Sequence, residues 1–162
     1  MPTFRLHAAR SAPDIAQAAA LFRAYADALN VDLCFQDFDA ELATLPGKYA
    51  PPEGELLLAR DADGATLGCV AVRSLETPGI CEMKRLFVVD AARGLGVGAA
   101  LVAAIIAAAE ARGYAEMRLD TLPSMTAARA LYRRFGFAEI APYCFNPVRG
   151  TLYLARRLAP AG

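Results

Sequence analysis

Apolar and polar positions alternate weakly from Thr3 to Ala8, which predicts a first strand. Pro13 and Asp14 then open a helix whose Ile15, Ala18, Ala19, Phe22 and Ala26 share one face, and the pattern ends near Asn30. From Val31 to Pro52, Phe35, Phe38 and Leu45 are interleaved with Pro46, Gly47, Pro51 and Pro52, predicting a loop that holds a short helix around Asp39 to Thr44. Glu55 to Arg60 and Thr66 to Arg73 are strand-like runs joined by the turn sequence Asp61-Ala62-Asp63-Gly64, so they predict a hairpin. Ile80 to Val89 predicts a third long strand. A helix from Leu95 to Arg112, stopped by Gly113, precedes a strand from Ala115 to Asp120, which makes a β-α-β crossover. Thr126 to Phe135 predicts another helix, closed by Gly136, and strands at Phe137 to Ile140 and Thr151 to Arg157 complete the pattern.

The chemistry concentrates where the third strand meets the crossover helix. There the chain reads Phe87-Val-Val-Asp-Ala-Ala-Arg93-Gly94-Leu95-Gly96-Val97-Gly98 and continues as an alanine-rich helix from Ala99 to Ala111. A helix N-terminus carries unpaired amide N–H groups and partial positive charge, so glycines that let a ligand approach those amides make an anion site. Composition sharpens this. Lys+Arg and Asp+Glu are both 17, so no basic field is available to hold a nucleic acid or an anionic membrane, and an anion must be bound locally. A chain of 162 residues that is 56% hydrophobic and 21% charged is expected to form a single domain, residues 1–162, around one core. Cys34, Cys69, Cys81 and Cys144 are widely spaced and His7 is the sole histidine, so no metal site is expected. Met1 to Arg10 carries Arg5 and Arg10 without an apolar run, unlike a signal peptide. The uncharged run from Gly94 to Ala109 is shorter than the roughly 20 residues a bilayer requires. The expected location is the cytoplasm, with reduced thiols.

Three phosphate-binding templates compete for the glycines. The P-loop template fails because no Gly-Lys-Ser/Thr closes the segment. The dinucleotide template accepts Gly94-x-Gly96-x-x-Ala99 with Asp120 as a ribose-binding acid, but Asp90 to Arg93 separate the glycines from their strand. The third, Arg93-x-x-Gly96-x-Gly98, resembles the GNAT superfamily of N-acetyltransferases. Cys81-Glu-Met-Lys-Arg-Leu-Phe-Val88 is similar to that family's central strand, and Ala128-Arg-Ala-Leu-Tyr132-Arg-Arg-Phe-Gly136-Phe137 to its later helix and exit strand. The resemblance covers Ile80 to Ile140, about the C-terminal half. It implies an α/β fold with a mixed, strongly twisted central sheet flanked by helices and splayed at the acetyl-CoA site. It also implies acetyl-CoA as cosubstrate, direct attack by an amine, and no metal. In that scheme the backbone of Phe87 and Val88 pairs with the pantetheine amides as another strand would. The pyrophosphate sits on the amides of Gly94, Leu95, Gly96, Val97, Gly98 and Ala99, and Arg93 fixes the loop or faces the phosphates. Ala128 joins the cofactor contacts.

Tyr132 matches the family's tyrosine that protonates the departing thiolate. A phenol with a pKa of about 10 can serve a thiol near 8.5 with modest help, but a core tyrosine sharing a face with Ala128, Leu131 and Phe135 is the alternative. Glu82 stands where some family members carry a carboxylate that takes the amine's proton through water. The alternatives are binding of the acceptor ammonium, or pairing with Lys84, Arg85 or another cation. Met125 replaces a family asparagine, leaving Ser124 or Thr126 to make its contact. Tyr143, Asn146 and Arg149 either touch the acceptor or belong to a proline-bounded loop that packs, and packing is preferred. Cys81 and Cys144 are expected to be buried, and His7 structural or solvated. The expected reaction is acetyl transfer to a primary amine of a small molecule, because the aromatic Cys34 to Phe38 segment could cover the site. The alternatives are a protein lysine or N-terminal acetyltransferase, or a non-catalytic acyl-CoA sensor. A homodimer is compatible with the family.

Overall fold

Leu56, Leu57 and Leu58 are all buried, so the strand that carries them must have helices on both faces. In the computed structural model, which describes residues 3–29 and 37–160, it does. The elements are β1 (Phe4–Ala8), α1 (Ala12–Leu29), α2 (Phe38–Ala43), β2 (Glu55–Asp61), β3 (Thr66–Ser74), β4 (Ile80–Val88), α3 (Val97–Ala111), β5 (Glu116–Thr121), α4 (Thr126–Arg134), β6 (Ala138–Ile140) and β7 (Leu152–Arg157). Short 3-10 turns at Gly47–Tyr49 and Asp90–Ala92 are additional to the sequence pattern. One mixed sheet runs β1-β2-β3-β4-β5-β7-β6, in which β4 and β5 form the parallel pair across α3 and the other neighbours are antiparallel.

Alternation along β2 and β3 divides the core. Leu57, Ala59, Val70 and Val72 face α3, while Leu56, Leu58, Cys69 and Ala71 face α1 and α2. Helix α3 buries Val97, Leu101, Val102, Ile105, Ile106 and Ala109, a helical stripe on an otherwise alanine-rich rod. It lies so close to the sheet that a Cβ on Gly68 would meet the Phe87 carbonyl oxygen at 2.7 Å and Leu101 Cδ1 at 3.1 Å. The opposite face holds Phe22, edge-on to Tyr49 with ring centres 6.0 Å apart. His7 is structural, as its Nε2 meets Arg60 Nη1 at 2.7 Å.

The predicted helix start at Leu95 is displaced. Gly94 and Gly96 have φ of 82° and 84°, a left-handed backbone that cannot continue a right-handed helix, so α3 begins at Val97 with Gly96 as its cap.

Strand β4 contains the decisive irregularity. Cys69 is opposite Phe87 but Ala71 is opposite Lys84, so Arg85 and Leu86 share the place of one residue. Arg85 adopts φ 62°, a conformation costly for a side chain with a Cβ. Its surroundings compensate. The guanidinium, 1% exposed, binds Glu41 through Nε to Oε2 at 2.8 Å and Nη2 to Oε1 at 3.1 Å. It stacks against Phe38 at 5.1 Å and Tyr25 at 5.6 Å. Lys48 Nζ adds a second cation 3.1 Å from Glu41 Oε1. The bulge reverses the strand's parity: Met83 faces the α3 core before it, Leu86 and Val88 after it, while Phe87 joins the α1 side.

Two outcomes are expected. Leu101→Ala should lower unfolding free energy by about 2–5 kcal/mol in denaturant titration, because its site is sealed by both layers. For Glu41, burial opposes ionisation, but the Arg85 hydrogen bonds and the Arg85 and Lys48 charges win and hold its carboxyl below the ordinary 4.5. A depressed carboxylate contributes stability that is complete above 4.5 and is lost as pH falls through the folded value. Thermal midpoints should therefore decline below that pH, and Glu41→Gln should both lower the neutral-pH midpoint and flatten the decline.

Candidate active site

Strands β4 and β5 pair only through Ile80, Cys81 and Glu82, opposite Glu116, Met117 and Arg118. Beyond Glu82 they part, and Met83 to Val88 present their β5-facing edge to a gap. The gap is a cavity lined by Tyr25, Met83, Lys84, Arg85, Leu86, Asp120, Met125 and Tyr132. Tyr25 packs with the core on one face of the sheet and Tyr132 with the core on the other, so the cavity passes through the sheet. This is the splaying that the resemblance implies.

On the α3 side stand the expected cofactor contacts. No side chain caps α3, and the amides of Val97, Gly98 and Ala99 precede its first bond, from Ala100 N–H to the Gly96 carbonyl at 3.1 Å. A Cβ on Gly96 would point into open space, so this glycine serves backbone conformation rather than clearance. A Cβ on Gly98 would make ordinary contact, 3.4 Å from Leu131 Cδ2 and 3.7 Å from Val88 Cγ2. Leu95 is exposed and the Val97 side chain is in the core, so Val97 offers only its backbone. Arg93 pairs with Asp90 at 3.2 Å across the loop, and both side chains are exposed. Phe87 lies opposite Cys69 and edge-on to Tyr25, Val88 lies opposite Gly68, and Ala128 packs beside Leu131 against the α3 core. An open strand edge leading toward an uncapped, glycine-started helix fits an extended amide arm that ends in a pyrophosphate.

Tyr132 is 5% exposed and edge-on to Phe137 at 5.8 Å. Its ring is core, and it also lines the cavity. Burial first, then Tyr25 and Asp120, push its phenol well above the ordinary range, so the proton stays on. Met125 lines the same cavity and its sulfur accepts from Thr121 Oγ1 at 3.7 Å, while neither Ser124 nor Thr126 caps α4.

On the α1 side, Glu82 is 4% exposed and lies in one cross-strand row between Arg73 on β3 and Arg118 on β5. Its Oε1 is 3.5 Å from Arg73 Nε, and its Oε2 accepts from the Tyr143 hydroxyl at 2.7 Å. Of the rival partners, Arg85 is committed to Glu41. Lys84 faces the charges of Glu82, Asp120 and Arg85, and burial leads in lowering its ammonium below the ordinary pKa. Asn146 Nδ2 donates to Asp120 Oδ2 at 3.1 Å, so the loop between β6 and β7 does pack, as expected, but it packs on the site. Cys81 is buried; Cys144 is a correction, because it lies exposed on that loop. The Tyr143–Glu82 and Glu41–Arg85 pairs span 61 and 44 residues, and no local pattern announces them. The expected cover from Cys34 to Phe38 falls mostly outside the described residues.

Among the described residues, no helix is long and apolar enough to cross a membrane, and no group of three or more His, Cys, Asp or Glu could hold a metal ion. The profile of the acetyltransferase (GNAT) family matches residues 19–137. An uncharacterized N-acetyltransferase of Schizosaccharomyces pombe is 46% identical over 134 residues, covering 83% of this chain and 82% of that one. An aminoglycoside N(6')-acetyltransferase of Stenotrophomonas maltophilia is 33% identical over 136 residues, covering 80% and 88%. In fold, the chain is similar to a Sinorhizobium meliloti phosphinothricin acetyltransferase in complex with acetyl-CoA, with TM-score 0.70 and 19% identity over 96% of this chain and 89% of that one. The strand order, the parted β4 and β5 and the matched profile agree: the chain belongs to the GNAT acetyltransferase family and is an acetyl-CoA-dependent N-acyltransferase.

Proposed function

We propose that this protein acts as a single N-acetyltransferase domain in the cytoplasm and transfers an acetyl group from acetyl-CoA to a primary amine of a small molecule. The cavity that crosses the sheet carries this reading, because it connects a cofactor side holding Tyr132 with an acceptor side holding Lys84, Asp120 and the neighbouring Glu82. Bound acetyl-CoA supplies the activated thioester carbonyl. The edge at Phe87 and Val88 holds the pantetheine arm, and the amides from Gly94 to Ala99 hold the pyrophosphate. Tyr132 donates to the departing sulfur, and the nascent thiolate charge beside it offsets the weaker acidity that burial gives the phenol. Glu82 receives the acceptor ammonium and takes its proton, since an amine attacks only when neutral.

The narrowness of the cavity supports a small acceptor, as does the hydrogen bond by which Tyr143 of the β6–β7 loop meets Glu82. The aminoglycoside relative is named for a small-molecule acceptor. Release of free thiol from acetyl-CoA in the presence of pooled amines, compared with acetylation of peptides followed by mass spectrometry, separates this reading from a protein acetyltransferase. Acetyl-CoA binding without thiol release across both panels would identify a sensor instead.

Gly96→Val should weaken acetyl-CoA binding in calorimetry by tenfold or more, about 1.4 kcal/mol, because a β-branched side chain resists the left-handed backbone there. Tyr132→Phe should leave that affinity near wild type and lower kcat by roughly 10–100-fold in the thiol assay.

A further inference from the structure

Two of the Glu82 carboxylate's neighbours differ in character. Arg73 approaches Oε1 at 3.5 Å, and its Nε makes no hydrogen bond although that atom is buried, so it supplies charge without direction. The Tyr143 hydroxyl reaches Oε2 at 2.7 Å, a short, directed bond that selects one orientation of the carboxylate.

Tyr143 is itself held by contacts that do not involve its hydroxyl. Its ring meets Tyr153 edge-on at 5.6 Å, and the Arg118 guanidinium lies over it at 5.4 Å. Arg118 is steadied by Glu116, with Nε to Oε2 at 2.6 Å. The next residue's carbonyl, on Cys144, accepts from the Tyr153 hydroxyl at 3.0 Å. Further along, Asn146 bridges Asp120 and the Val148 amide, at 3.1 and 3.0 Å. The phenol oxygen is therefore placed by the sheet before it touches Glu82.

We infer that Tyr143 is a positioning residue for the reaction: its hydroxyl aims the Glu82 carboxylate at the acceptor amine. The inference rests on the acetyltransferase reading above and assigns the β6–β7 loop to the acceptor side of the site. Because the ring contacts survive loss of the hydroxyl, Tyr143→Phe isolates the hydrogen bond.

The test is a double-mutant cycle of Tyr143→Phe and Glu82→Gln, with the best amine from the pooled screen and product quantified by mass spectrometry. Tyr143→Phe should lower kcat/KM for the amine about tenfold while its unfolding midpoint and its acetyl-CoA affinity in calorimetry stay at wild-type values. In the Glu82→Gln background the same change should cost less than about twofold, because the group it aims is gone. Equal losses in the two backgrounds, or a Tyr143→Phe enzyme as fast as wild type, would overturn the inference while leaving the acetyltransferase reading intact. A wild-type protein that releases no thiol with any amine or peptide would overturn both.

Discussion

A buried arginine in a left-handed conformation is the constraint on which the site depends. Arg85 can hold that backbone because Glu41, Phe38 and Tyr25 enclose its guanidinium. The same contact ties α1 and α2 to the middle of β4. It joins three things that a regular strand would keep apart: the parity of β4, the seating of the helices that cover it, and the edge that opens toward β5. An ion pair in this position adds little to stability over a well-packed apolar pair, since desolvation cancels much of the attraction. Its contribution is geometric, because a hydrophobic substitute would not hold the backbone at a defined turn.

From that bulge the two halves of the candidate site diverge. Downstream, Phe87 and Val88 lead into left-handed Gly94 and Gly96 and then the uncapped start of α3. Upstream, Glu82 remains within the last paired rung of β4 and β5, where cross-strand arginines and a loop tyrosine surround it. Glu82 is thus anchored by regular sheet, whereas the cavity beside it exists because the sheet stops being regular. The rung that ends the pairing is also the one that carries the carboxylate.

Much of the fold was legible because periodicity and breakers agree. The three leucines of β2, the stop of the alanine-rich α3 at Gly113 and the crossover to β5 follow from spacing along the chain, whereas the start of α3 after Gly96 does not. The 3-10 turn at Asp90–Ala92 was not, since it lacks a hydrophobic period of its own. In the candidate site, local motifs single out the glycine segment and Tyr132. The partners of Glu82 and Arg85 could not, because they are brought in by tertiary folding from Tyr143 and Glu41. Cys144 shows the limit of residue-type averages: cysteines are usually buried, but a loop pinned at Tyr143 and Asn146 leaves both residues between them, Cys144 and Phe145, exposed.

The shared place of Arg85 and Leu86 gives β4 one residue more than a regular strand needs to span the same rungs. Deleting Arg85 would restore plain alternation, leaving Phe87 on the α1 side and Leu86 and Val88 in the α3 core, while removing the left-handed turn and the ion pair with Glu41. Among descendants of this chain, a β4 shortened by that residue would keep its apolar faces and lose the bend beside the gap, so the cost of the loss falls on the cavity and not on the core.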